Sequence, residues 1–370
     1  MTATFRRQLI LVFLIILSSC NPTGEVTSEK ELVVGFIGPL SGDASAFGTP
    51  VKNAFELAIE EINQAGGIKG TSLRAIYEDG KCAEKDAVTA AHKLINVDRV
   101  KVIFAFCSAE TLPIIPLTEE NSVIVFTSST NPAVSDAGES VFRVSYSDKD
   151  TAHVAAEKMA KDSKRVGVIY EQTSYPVGLK DAFRKEFEIV GGEVIEEGYG
   201  QNEQDMRTQL TKLLSKNPNA IFVDPDTPAT GIAVLKQLKE LQFKGKIYGN
   251  YFGSSQDVIY SPEADGIIFF ADPTVEENLL KEQMFKKYNE RYGENPQFEF
   301  FGATMYDAVY IMKQAIETSG NNPADIRDYL YQMDNFTGLL GKYHFDENGD
   351  ARGIRPSVKQ IKNNQIIAYG

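Results

Sequence analysis

Two short apolar runs, Val102–Phe106 and Val123–Phe126, are rich in β-branched and aromatic residues and carry no charge. Such runs read as strands buried on both faces, as in a parallel sheet. The segment between them, about 109–121, has room for a short crossover helix. The same grammar recurs before and after them. Leu32–Ile37 is a strand followed by a Gly-rich loop, and Thr49 with Pro50 predicts the cap and first position of a helix. Ala54, Phe55, Leu57, Ala58, Ile59 and Ile62 then recur at helical spacing until Gly66-Gly67. Leu73–Tyr77 is a strand and Ala83–Asn96 a helix, so the first half reads βαβαβαβ, the pattern of a doubly wound sheet.

Val141–Val144 leaves this series, and a second one begins. Lys149–Ser163 reads as a helix and Arg165–Tyr170 as a strand, with the loop 171–176 and a helix from about Val177 to Val190. Glu193–Gly198, Ala220–Val223, Lys246–Tyr248 and Ile267–Phe270 are strands, separated by helices at Met206–Ser215 and Gly231–Leu241. Three helices follow, Val275–Tyr292, Phe300–Ser319 and Ala324–Met333; the broad apolar stripe of the second marks it as core. The chain ends in a hairpin whose turn, Asn363-Asn364, suits positive φ. Two α/β series of similar length predict two similar lobes.

Ligand crevices of open α/β sheets lie beyond the carboxyl ends of the strands. Here the first two runs end in hydroxyls: Ser108 and Thr111 after one, Thr127, Ser128, Ser129 and Thr130 after the other. Two neighbouring strands ending this way make an anion or carboxylate cradle, or simply a set of turn and cap residues; the pattern alone leaves both readings open.

Composition narrows the function. The formal net charge is −13, and without Arg6 and Arg7 36 basic residues face 51 acidic ones, so no basic face is available for nucleic acid. At 370 residues the chain suits two lobes. Arg6 and Arg7 precede the apolar run Leu9–Leu17, too short to span a bilayer, and Ser18-Ser19-Cys20 closes it. Residues 1–19 therefore read as a signal peptide. The polar segment after Cys20 reads as a tether, residues 20–31. Beyond Cys20 only Cys82 and Cys107 remain, in a disulfide-permissive compartment: one bridge or two buried thiols. A bridge would add about 3 kcal/mol through loop closure. His92, His153 and His344 offer no metal-ligand spacing with them, and no metal or cofactor is expected. No G-x-S-x-G, P-loop or G-x-G-x-x-G is present, and no His falls in a candidate cleft loop, so an enzyme is not expected.

Several segments together carry a resemblance: VGFIGPLSGDASAFG, AFELAIEEINQAGGIKG, the Cys82/Cys107 pair, FCSAETLPIIP, TSSTNP, Tyr175-Pro176-Val177-Gly178, YDAVYIMKQAI and FDENGD. From Leu32 onward the chain resembles the type I periplasmic binding proteins of ABC transporters, in the branched-chain amino-acid (Leu/Ile/Val) group. Leu17-Ser18-Ser19-Cys20 resembles the lipobox of bacterial lipoproteins, which implies a lipid on Cys20 and a periplasmic or cell-surface anchor. The resemblance implies two α/β lobes joined by three crossovers, near 144–150, 271–276 and 347–354. Lobe 1 is expected at 32–147 plus 275–347, and lobe 2 at 148–274 plus 348–370. It implies a Cys82–Cys107 bridge and a monomer that closes on a small carboxylate-bearing ligand, an amino acid or a related organic acid or amide, and presents it to a membrane permease. A sensory receptor signalling through a membrane partner is the alternative.

In the family the ligand carboxylate is held by positions that correspond to Ser108, Ser128 and Thr130, with Ser129 in the same loop. Tyr175 and Phe47 correspond to the aromatics over the ligand. Leucine-type members place a Glu for the ligand ammonium where this chain has Tyr251 and Phe252. Asp224 and Asp226 follow a neighbouring strand; they stand in for that Glu or are turn formers in water.

Overall fold

A computed structural model describes residues 31–369 apart from Asp43, Thr274 and Glu276. The expected signal peptide, Cys20 and nearly all of the tether lie outside the described residues. The first series runs β1 (Leu32–Gly38), α1 (Ser45–Gln64), β2 (Leu73–Asp79), α2 (Glu84–His92), β3 (Val102–Ala105), α3 (Ser108–Thr111), α4 (Ile115–Glu120), β4 (Ile124–Thr127) and β5 (Val141–Arg143). The strands form a five-stranded parallel sheet in the order β2-β1-β3-β4-β5. The second series runs α5 (Asp148–Asp162), β6 (Arg165–Glu171), α6 (Ser174–Ile189), β7 (Glu193–Tyr199), α7 (Arg207–Ser215), β8 (Ala220–Asp224), α8 (Pro228–Glu240), β9 (Lys246–Gly249), α9 (Gln256–Ile259) and β10 (Ile268–Ala271).

The chain then returns to the first lobe as α10 (Leu279–Tyr292), α11 (Glu299–Ser319) and α12 (Pro323–Gln332). A small sheet follows, β11 (Phe336–Gly338), β12 (Gly341–Phe345) and β13 (Ala351–Arg352). The chain crosses once more as β14 (Ser357–Lys362) and β15 (Gln365–Ala368), which extend the second sheet to β15-β14-β10-β9-β8-β6-β7. β14 is antiparallel to β10, and the β14–β15 turn places Asn363 and Asn364 at positive φ as expected.

Each sheet is covered on both faces, which is why its strands read as uninterrupted apolar runs. One face of the first sheet packs Phe36, Phe104 and Phe126 against α1 and α11, and the other packs Ile37, Ile103 and Val125 against α2. In the second sheet Ile169, Ile221 and Val223 face α7 and α8, and Val166, Val168 and Phe222 face α5 and α6. Ala351 and Ile354 belong to the first lobe's core, and β13 pairs with β12, so the third crossing comes after Ile354 rather than at 347.

Two helix starts differ from expectation. α1 begins at Ser45, so Thr49 caps nothing and Pro50 is its sixth residue. A proline there keeps a helical φ and removes one hydrogen bond. α6 begins at Ser174, which puts Tyr175 and Pro176 in its first turn rather than in a loop. Proline is tolerated there because first-turn amides have no intrahelical partner.

Candidate functional site

β3 and β4 are parallel neighbours, so the residues after them emerge side by side. Ser108 opens α3 and its Oγ lies 2.8 Å from Ser129 Oγ. Thr127 Oγ1 pairs with Thr111 Oγ1 at 2.7 Å and accepts the Ser129 amide, which stitches the loop to α3 from below. Ser128 Oγ pairs with Thr304 Oγ1 on α11. All four residues of the expected cradle, Ser108, Ser128, Ser129 and Thr130, are buried and line one cavity of about 460 Å³. The wall opposite comes from the second lobe, and Phe106 and Phe301 complete it.

In that wall Tyr175 is 9% exposed, and its ring centroid lies 5.3 Å from that of Tyr251. Tyr251 in turn meets Phe301 at 5.6 Å and Phe47 at 6.3 Å. Phe47 lines an adjoining chamber of about 670 Å³ with Lys81, Glu171, Gln201 and Asn202. Asp226 lines both chambers. Its amide donates to Glu171 Oε2 at 3.0 Å, and Glu171 also accepts from Thr230 and the Asn202 amide, so a buried carboxylate fixes the Asp226 loop. Burial, with the charge of Glu171 adding, pushes the Asp226 carboxyl up to about 6.

Asp224, expected in the cleft or in a solvated turn, occupies neither position. It ends β8, is fully buried, and is absent from the lining of both chambers. Oδ1 accepts Asn250 Nδ2 at 2.7 Å, while Oδ2 has no hydrogen-bond partner. Burial raises it well above the carboxylate range, and the charges of Asp148 and Asp226 add to that. Sequence reasoning missed Phe301, which lies at the start of the helix whose stripe reads as core, and Glu171, read as the start of a loop.

The lobes touch across the cavity. Asn131 Nδ2 donates to Ser174 O at 2.6 Å, and Ser174 Oγ to Glu84 Oε1 at 3.0 Å. A Cβ on Gly178, one turn along α6, would overlap the Asn131 carboxamide. Cys82 and Cys107 form a disulfide that ties the segment after β2 to the end of β3, and both line the chambers. The buried Glu110 carboxylate accepts both cysteine amides at 3.0 Å. These three form a potential ligand group for a metal, but the sulfurs are spent on each other and Glu110 on the amides. No helix among the described residues is long and apolar enough to cross a membrane.

A family model described as periplasmic binding protein matches residues 31–358. The chain is 29% identical over 342 residues to an amino acid binding protein of Pseudomonas aeruginosa, covering 87% of this chain and 88% of that protein. It is 27% identical over 333 residues to Leu/Ile/Val-binding protein homolog 2 of Brucella abortus, covering 88% of each. Among solved structures, a leucine-binding protein from Thermotoga maritima superposes with a TM-score of 0.82 at 28% identity, covering 92% of this chain and 98% of that one.

Proposed function

Because this chain belongs to the type I periplasmic binding proteins, in the group that includes the Leu/Ile/Val-binding proteins, we propose that it captures an amino acid outside the cytoplasm and delivers it to an ABC permease. The observation that carries the reading is one cavity lined at once by four buried hydroxyl residues, by aromatic rings and by a single carboxylate, Asp226. Ser108, Ser128, Ser129 and Thr130 take the ligand carboxylate, since hydroxyls donate to an anion without charge of their own. Asp226 takes the ammonium in place of the Glu that Tyr251 has replaced. Tyr175, Tyr251, Phe106 and Phe301 surround an apolar side chain, with Phe47 over the mouth.

In this reading the lobes are residues 32–147 with 275–354, and 148–274 with 355–370. They close as a hinge, which the ligand drives through contacts made better in the closed form. The chain acts as a monomeric receptor, not an enzyme, and Cys20 carries the lipid that holds it at the membrane. A thermal-shift screen of residues 27–370 tests the ligand class. Zwitterionic amino acids, L-leucine first, should stabilise the protein, by about 2.7 kcal/mol at a hundred times Kd. Stabilisation by aromatic or aliphatic carboxylates, with amino acids silent, would overturn the amine site.

A further inference from the structure

The hydroxyl loop does not hold its own shape. Its carbonyl oxygens are taken up one after another by the end of the first lobe and the start of α5. Ser145 Oγ donates to Ser128 O at 3.1 Å, and the Asp148 amide donates to Thr130 O at 2.7 Å. Arg143 Nη1 donates to Asn131 O at 2.8 Å and reaches Ser129 O at 3.4 Å. An anion is repelled by carbonyl lone pairs and attracted by hydroxyl donors. Turning four successive carbonyls away is therefore what makes this loop a carboxylate site rather than an ordinary turn.

Arg143 is the residue that commits the arrangement. It is fully buried at the end of β5 and lines neither chamber. All five of its N–H donors are engaged. Two serve the loop carbonyls. Nε and Nη2 bind Asp350 Oδ1 at 2.8 and 2.6 Å, and Nη2 also binds Ser135 Oγ. Ser135 Oγ closes the ring onto Asp350 Oδ2 at 2.8 Å. Asp350 lies 207 positions away, and the Arg143 amide donates to the neighbouring Gly349 carbonyl at 2.8 Å. Arg143 thus stands just before the first crossover, and Asp350 a few residues before the third.

We propose that Arg143 and Asp350 are a positioning pair for ligand carboxylate binding: they set the 128–131 loop with its donors toward the cleft and tie it to the strands about which the lobes turn. Neither residue touches the ligand. The proposal rests on the carboxylate reading above, and its test is built so that the two can fail separately.

Removing one partner would leave a buried charge unpaired, so the informative variant removes both charges, Arg143→Met with Asp350→Asn. The probes are L-leucine and L-leucinamide, which differ only in the anionic end. The double variant should unfold cooperatively and keep its near-ultraviolet circular dichroism. It should bind L-leucine at least 30-fold more weakly and L-leucinamide within threefold of the parent. Without ligand, the amides of 128–131 should exchange at least tenfold faster, with the rest of the first lobe unchanged. Leucine affinity within threefold of the parent, equal loss for both probes, or unchanged exchange at 128–131 would each overturn the pairing. If the parent binds neither probe, the amino-acid reading falls and the exchange result alone decides. If the double variant does not fold, Arg143→Lys takes its place. It keeps the charge but not the planar fork, and should show the same loss of leucine selectivity and the same local exchange.

Discussion

Gly178→Ala separates closure from folding. Gly178 is the fifth residue of α6, and its φ is not in the left-handed region, so the helix gains from the change. Alanine is about 1 kcal/mol better than glycine inside a helix. The added methyl meets the Asn131 carboxamide on the opposite lobe. That carboxamide is 4% exposed and held at both ends: Oδ1 accepts the Ala133 amide at 2.9 Å, and Nδ2 donates to Ser174 O. Moving it breaks hydrogen bonds of about 1 kcal/mol each, and overpacking adds roughly 1–3 kcal/mol. A penalty of about 2–3 kcal/mol confined to the closed form raises Kd by roughly 30- to 150-fold. The unliganded melting temperature should hold or rise by a degree or two. Titration calorimetry with the best amino acid from the screen, beside scanning fluorimetry without ligand, reads both. A Kd within twofold of the parent, or an unliganded melting temperature several degrees lower, would refute the reasoning, because the contact would then belong to the fold and not to closure.

If Ser108 and Thr130 hold the ligand anion as proposed, Ser108→Ala with Thr130→Ala removes two donors at about 1.5–3 kcal/mol each and should weaken binding by about 100-fold or more in calorimetry. The unliganded melting temperature should move little, and a large drop would mark both hydroxyls as structural. Binding and stability should respond oppositely to pH. Asp226 must be charged to hold an ammonium, so affinity should fall about tenfold per unit below its value of about 6. Glu110, Asp148, Asp272 and Asp307 are each pushed by burial to about 7, above their unfolded values. Their contribution is present at low pH and lost as pH rises through about 7, so the unliganded protein should melt higher at pH 5.5 than at pH 8. Reduction of Cys82–Cys107 should lower the melting temperature by about 5 °C or more, from roughly 3 kcal/mol of loop closure, and a change below 1 °C would contradict it.

The parallel sheets were legible because strands buried on both faces, such as Val102–Ala105 and Ile124–Thr127, are unbroken apolar runs. That Ser108, Ser128, Ser129 and Thr130 meet at one cavity was legible for a related reason: they follow those strands directly. Helix starts were less so, since Thr49-Pro50 and Ser174-Tyr175-Pro176 both carry proline near an N-terminus. In one the helix begins five residues earlier, and in the other the proline sits inside the first turn. Asp224 was misjudged because Asp-Pro is an ordinary turn signal, and its burial depends on Asn250, which arrives from the next strand. Arg143 gave no local sign at all. A charged residue ending a three-residue strand looks solvated until a partner more than 200 positions away is folded against it.

The acidic interior of the cleft explains why closure should depend on the ligand. Asp148 is 1% exposed, and burial pushes its carboxyl up to about 7. Its charge reaches Asp224, Tyr175 and Tyr251. Asp272 accepts from Tyr146 at 2.7 Å close by, and Asp226 faces the cavity itself. Two cations that oppose this charge are already engaged, Arg143 with Asp350 and Lys180 with Asp181 and Glu196, while Lys359 bears on Asp272. In the proposed reading, closing the lobes without a ligand leaves Asp226 in the cavity with no cation beside it, and an uncompensated buried charge costs several kcal/mol. In the same proposed reading, an ammonium at Asp226 supplies the missing positive charge only when the lobes are shut, and the ligand carboxylate meets hydroxyls that add no negative charge of their own. Shifting an open–closed equilibrium from 1:99 to 99:1 takes about 5.5 kcal/mol of differential affinity. Two or three charge-assisted hydrogen bonds made only in the closed form, at roughly 1.5–3 kcal/mol each, reach that sum. A ligand with the carboxylate but no amine would meet the same cradle and still leave the acids unopposed, so it would bind the open lobe and fail to close the protein.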